Sequence, residues 1–189
     1  MVDINKYQGS LGRRLLVVAP WIPEFDRHAG ALRFFCMLRI LSREYRVILL
    51  GRVRDDGARY VAALESIGVQ VHDAASTTME ALLPHAEVAV FFEFYHAAET
   101  LLDVVRVVRS DLPIVVDSVD LHFVRESRGA AYAQAPQTAY GQALETRRRE
   151  LCVYRRADAV IVVTESDKRA LLDCLPDVRV TVVPTIHEV

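Results

Sequence analysis

The chain has 189 residues, of which 52% are hydrophobic and 25% charged, with a formal net charge of −2. That balance supports a well-buried domain and argues against disorder, and the near-neutral charge gives no field for non-specific nucleic-acid binding. Cys36, Cys152 and Cys174 are scattered with no CxxC spacing. Such a set reads as reduced thiols of a cytoplasmic protein, not as a disulfide framework or zinc site. The opening "MVDINKYQGSLGRR" lacks an apolar signal core, and no apolar run approaches the ~20 residues of a membrane-spanning helix.

In chain order, "RLLVVAP" is a continuous Val/Leu run, the pattern of a strand buried on both faces. "GALRFFCMLRILSREY" follows at helix length. "RVILLG" is a second strand and "GARYVAALESIG" a helix bounded by glycines. "VQVHDA" and "TTMEALLPH" are a third strand and a short helix. "EVAVFFE" and "HAAETLLDVVRVVRSDL" are a fourth strand and its helix. "PIVVDSVD" is the fifth strand. An irregular, charged stretch leads to a long helix over Thr138 to Ala157. "AVIVV", "ESDKRALLDCL" and "VRVTVVP" complete the chain as strand, helix and seventh strand. This alternation predicts βαβ units with right-handed crossovers. We expect one α/β domain over residues 1–189: a doubly wound, mainly parallel, seven-stranded Rossmann-like sheet with helices on both faces. In such sheets ligands gather beyond the carboxyl ends of the strands.

The polar residues at those ends are the candidates. After the first strand, "PWIPEFDRHAGALRFF" carries two prolines that stiffen the exit. Gly30 opens a helix whose first amides lack partners, and Arg33 is expected in its first turn. Together they would suit a phosphate or carboxylate. Asp26 and His28 share the loop as cleft candidates; the alternative is a solvated structural loop. Neither GxGxxG nor GKT/GKS is present, so there is no dinucleotide fingerprint and no P-loop.

After the fourth strand, Glu93 and His96 either face a ligand or, for Glu93, complement a helix dipole. After the fifth, Asp117, Asp120, His122, Arg125 and Glu126 read as a polar cleft wall, with turn chemistry as the alternative. Their spacing is no specific metal signature, so no metal and no cofactor are expected. Thr164 with Asp167 reads as a helix cap. On the long helix, Tyr140, Leu144, Arg147, Leu151 and Tyr154 share one face. The run Arg147, Arg148, Arg149 with Arg155 and Arg156 reads as a solvated face, or as a peripheral contact with anionic lipid at the inner membrane.

Taken together, these segments resemble a known family. "LLVVAPWIPEFDRHAGALRFFCMLRILSREYRVILLG" looks like the start of a GT-B fold glycosyltransferase of the large retaining family 4. "PIVVDSVDL" is similar to the family's P-V-V-Y-D-x-H-D-L segment. "RRADAVIVVTESDKRALL" resembles its A-D-x-V-I-x-V-S-E segment, and "VRVTVVPTIHEV" its seventh strand and following turn. The resemblance implies the N-terminal, acceptor-side domain of an enzyme that transfers a sugar from a nucleotide-sugar to a saccharide, lipid-linked or metabolite acceptor. The donor would bind a C-terminal domain absent from this chain, and the isolated domain would be inactive. The turn at Gly30, with Ala29 in place of a second glycine, would approach the donor phosphate, making Gly30 and Arg33 the donor-facing pair. Asp26, His28, Glu93, His96, Asp120, His122 and Arg125 would form the acceptor side. Asp117 and Asp120 match the aspartates of D-x-H-D, but the family histidine is Val119 here, with His122 as the neighbouring substitute. Two rivals remain open: half of a GT-B sugar-nucleotide 2-epimerase, and a non-catalytic α/β binding module.

Overall fold

A computed structural model describes residues 12–186. Seven strands form one sheet: β1 (Arg14–Trp21), β2 (Arg46–Arg52), β3 (Gln70–Asp73), β4 (Val90–Glu93), β5 (Ile114–Asp117), β6 (Ala159–Val162) and β7 (Val180–Val182). Every pairing is parallel and the spatial order is β3-β2-β1-β4-β5-β6-β7. The helices are α1 (Ala29–Leu41), α2 (Ala58–Ser66), α3 (Met79–Leu82, running into a 3-10 turn), α4 (Tyr95–Val108), α5 (His122–Ala130), α6 (Pro136–Arg156) and α7 (Glu165–Leu172).

The strand order explains where the helices lie. From β1 the chain steps one way to β2 and β3, then crosses back and steps the other way through β4 to β7. Right-handed crossovers put helices of the two directions on opposite faces. Accordingly, Phe34, Met37 and Leu38 of α1 and Tyr60 and Leu64 of α2 pack on Leu15, Val17, Val47 and Leu49. Residues of α3, α4, α5, α6 and α7 pack on the alternate side chains Leu16, Val18, Val90, Phe92, Val116 and Val160. Burial on both faces is why β1 reads as a continuous apolar run. Past α1, the first face of the sheet is only partly covered among the described residues. An apolar groove of about 360 Å3 runs there between Met37, Ile40 and Leu41 and the strand residues Phe91, Val115 and Ile161.

The segment expected to be irregular after β5 contains a helix, α5, and the long helix runs from Pro136 to Arg156 rather than Thr138 to Ala157. The physical reason is a cap supplied from far away. Glu150 of α6, fully buried, accepts from the first amides of α5, His122 N at 3.2 Å and Phe123 N at 3.0 Å. Local sequence carries no sign of a cap 28 residues downstream. Thr164 caps α7 as expected, accepting from Asp167 N at 3.0 Å. The shared face of α6 is split: Tyr154 is buried and bonded to Glu150, while Tyr140 and Leu144 are exposed.

Candidate functional site

The sheet order reverses between β1 and β4, and a cavity of about 160 Å3 opens beyond their carboxyl ends, where open α/β sheets bind ligands. Trp21, Glu24, His28, Arg54, Glu93 and Phe94 contribute to its wall.

Register decides the electrostatics of this region. Glu93 ends β4 and Asp117 ends β5, and the two are direct partners across the parallel pair. Alternation then sends both side chains to the face that carries α1. One cation meets them. Arg33 of α1, 2% exposed, grips the fully buried Asp117 with both terminal nitrogens, Nη1 to Oδ2 at 2.6 Å and Nη2 to Oδ1 at 3.2 Å. Its Nε and Nη2 also donate to Val183 O, at 3.2 and 3.0 Å. With the guanidinium committed to Asp117, Glu93 is the carboxyl left over. Burial, reinforced by the Asp117 charge and opposed by Arg33, pushes its carboxyl well above the usual range. Two adjacent buried carboxyls sharing one cation do not both ionise readily. The site therefore holds a carboxyl clamped by an arginine beside a second carboxyl whose protonated form is favoured by its surroundings.

This geometry corrects the reading of Arg33. The residue is the fifth of α1, beyond its first turn, and its fork points inward to β5 and the exit of β7, not outward to an anion. Gly30 is the second residue of α1. A Cβ there would meet His28 Nδ1 at 3.5 Å and Val119 Cγ1 at 3.6 Å, ordinary contacts, so no close backbone approach demands glycine. His28 is the helix cap: its Nδ1 accepts from Ala31 N at 3.1 Å, which uses one of the amides expected to face an anion. With Nδ1 accepting, the neutral ring carries its proton on Nε2. Asp26 turns from the cavity to α2, accepting from Tyr60 Oη at 2.6 Å and pairing with Arg59 at 2.7 Å.

His96, Asp120, His122 and Arg125 gather in a second cluster, joined to the cavity through Phe94. The Phe94 ring stacks on His96 at 5.2 Å and meets His122 edge-on at 5.8 Å. His122 Nδ1 lies 3.4 Å from Asp120 and 3.7 Å from Glu150. Burial lowers the His122 imidazolium, but the Glu150 and Asp120 carboxylates outweigh it, and the net shift is upward. The His96 ring shifts downward, through burial and the neighbouring His122. Asp120 also ion-pairs with Arg125.

Two non-glycine residues adopt left-handed backbone at this end of the sheet: Phe94, with φ 69°, and Val119, with φ 59°. Each costs of order 1–3 kcal/mol, and such strain collects at functional sites. Asp117 helps to hold the second, its Oδ1 accepting from Val119 N at 3.2 Å. Among the described residues no group of three or more His, Cys, Asp or Glu side chains is placed to hold a metal ion.

Sequence reasoning missed Glu24 and Glu150. Glu24 is 7% exposed, pairs with Arg27 at 3.0 Å and lies 3.6 Å from Arg54. The available signal was a lone Glu between prolines and aromatics in "IPEF". For Glu150 it was the i, i+4 spacing to Tyr154 at the end of an arginine run. Three of those arginines are ion-paired, Arg148 with Glu145, Arg149 with Glu99 and Arg156 with Asp103, which reduces the net positive charge of that surface. Arg147 donates to Cys174 Sγ at 3.3 Å. No described helix is long and apolar enough to cross a membrane.

No protein-family model matches the chain, and no curated protein matches it. Among solved structures it is similar to Glycyrrhiza uralensis UGT73P12, solved as a complex with glycyrrhetinic acid 3-O-monoglucuronide. The TM-score is 0.54 at 9% identity, covering 89% of this chain and 48% of that one. The chain thus spans about half the length of that protein. The likeness shows a GT-B glycosyltransferase-like fold, in its seven-stranded parallel α/β part.

Proposed function

We propose that this chain is the acceptor-side domain of a glycosyltransferase of the retaining family 4 type. The enzyme moves a sugar from a nucleotide-sugar, bound by a second domain, to a saccharide, lipid-linked or metabolite acceptor. The observation that carries the reading is the cavity at the β1–β4 switch point, with two buried carboxyl groups and aromatic side chains in its wall. The glycosyltransferase-like fold and the ordered sequence resemblance support it. A domain of this kind contributes by positioning: it holds the acceptor hydroxyl against the donor carbon and keeps water out. Glu93 and His28 line the acceptor cavity, and the His96–His122 cluster with Asp120 and Arg125 flanks it.

The test is enzymatic. The chain is joined to a nucleotide-sugar-binding half and incubated with a panel of nucleotide-sugars and acceptors. The expected result is release of nucleoside diphosphate with a new glycosidic bond. An epimerised sugar with no new bond would instead support the epimerase reading. Background release from a folded protein across the panel overturns the assignment.

A further inference from the structure

Resting on that reading of the cavity, the structure points to a narrower ligand. We infer that the switch-point cavity takes one uncharged pyranose ring and reads two of its hydroxyls, Glu24 accepting from one and Glu93 donating to the other. Rings bearing a phosphate or carboxylate are rejected.

Size sets the first limit. A cavity of about 160 Å3 is close to the ~150 Å3 that holds one benzene, and well below the ~300–1,000 Å3 of sites for drug-sized ligands. It therefore has room for no more than one six-membered ring, whose substituents must reach the cavity mouth. The walls suit a sugar, since the aromatic Trp21 and Phe94 line the cavity together with the carboxyl groups of Glu24 and Glu93.

Charge sets the second limit. Glu24 and Glu93 are both more than nine-tenths buried and both line the cavity. Arg33, the buried cation of this region, is consumed by Asp117. Arg54 stands in the wall, but its guanidinium lies 4.7 Å from the Trp21 ring centre and 3.6 Å from Glu24. An anionic ring would have to enter beside the buried Glu24 carboxyl, where the arginine of the wall, Arg54, already faces that carboxyl at 3.6 Å.

Hydrogen bonding assigns the two roles. Glu24 Oε2 is held by Arg27 at 3.0 Å, while the buried Oε1 makes no hydrogen bond among the described residues and has Arg54 Nε only at 3.6 Å. A buried acceptor left unmade is costly, and a ligand hydroxyl satisfies it. Glu93 is the complement: buried in the same wall, with its protonated form favoured by burial and by Asp117, it is placed to donate. The charged groups that act on it are Asp117 from β5 and Arg33 from α1, and His28 and Glu24 from the β1–α1 loop and Arg54 from the β2–α2 loop share the cavity wall with it. One donor beside one acceptor matches a pair of sugar hydroxyls, each of which both gives and takes a proton.

Trp21 is the one tryptophan of the chain, so its fluorescence reports occupancy of the cavity directly. The 189-residue chain is titrated with methyl glucopyranoside, methyl mannopyranoside and methyl galactopyranoside, and with the matching 6-phosphates and uronates. At least one neutral glycoside should give a saturable change at neutral pH, with its charged counterparts about tenfold weaker or more. Glu93→Ala and Glu24→Ala should each weaken binding by about tenfold, the size of one lost hydrogen bond in a desolvated site. Glu93→Gln retains a donor and should restore binding to within a few-fold of the parent. Parent affinity should fall as pH rises through deprotonation of Glu93, and the Gln variant should lose that dependence. Far-UV circular dichroism establishes that each variant is folded. Equal or tighter binding of the phosphates or uronates overturns the inference and leaves sugar transfer standing. No saturable response to any neutral glycoside also overturns it, while the nucleoside diphosphate assay judges the enzymatic reading separately.

Discussion

Arg33 serves two register-paired carboxyls, and their unequal shares can be measured. Removing one partner of a buried ion pair costs about 3–5 kcal/mol, because the other charge stays buried and unpaired. Asp117→Asn should not cost that much. Glu93 lies directly across from Asp117 on the same face. Without the Asp117 charge, Glu93 can ionise and take Arg33. We expect about 1–2 kcal/mol for Asp117→Asn, mainly from one weakened hydrogen-bonded contact. Glu93→Gln should change stability by less than about 1 kcal/mol below the ordinary value of 4.5, where a neutral acid gives way to a neutral amide, and should stabilise at neutral pH, where the parent must take up a proton on folding. The double variant strands Arg33 and should cost the full ~3–5 kcal/mol. For a chain of this length that is about 6–20 °C in Tm, at ~2–4 °C per kcal/mol. Urea unfolding followed by far-UV circular dichroism closes the cycle. A double variant equal to the sum of the singles within about 0.5 kcal/mol would refute the shared-cation account. The pH profile adds an independent sign. The folded state favours protonated Glu93, so its contribution is full below the ordinary value of 4.5 and is lost as pH rises toward the raised folded value. Glu93→Gln should flatten that decline.

Other sites give further tests. His122 is shifted upward, so the stability it supplies is present below its ordinary value of 6.5 and lost as pH rises through the folded value. His122→Gln should remove that part of the pH dependence of the urea midpoint. Glu150→Ala strands two α5 amides and the Tyr154 hydroxyl. It should cost about 3 kcal/mol and speed hydrogen exchange at His122 and Phe123, with Glu150→Gln milder. Val119→Gly relieves ~1–2 kcal/mol of left-handed strain against ~0.5–1 kcal/mol of added chain entropy. A net gain of up to about 1 kcal/mol by urea unfolding is expected, and a loss would mean that Val119 packing outweighs its strain.

Much of this molecule was legible without coordinates. Continuous apolar runs such as "RLLVVAP" and "RVILLG" identified doubly buried strands because a parallel sheet covered on both faces leaves no polar side to alternate. Their spacing with helical patterns gave the doubly wound class, and handedness then limits how the helices are shared between the faces. The Thr164 cap was legible because its bond reaches only three residues along the chain. The same topology pointed to the carboxyl ends of the strands, where Glu93 and His28 line a cavity.

What sequence could not decide were the partners that meet across long separations. Arg33 and Asp117 are 84 residues apart, and only the packing of α1 over β5 turns an apparent anion-binding arginine into the clamp of a buried carboxylate. Glu150 reaches 28 residues back to start α5, a helix with no local cap of its own. The protonation of Glu93 depends on a register: had β4 slipped by one residue against β5, its side chain would face the opposite layer, away from Asp117 and Arg33. Sequence determined the elements because periodicity and capping are local. Tertiary structure decided the charges, because desolvation and pairing exist only once the strands and helices have come together.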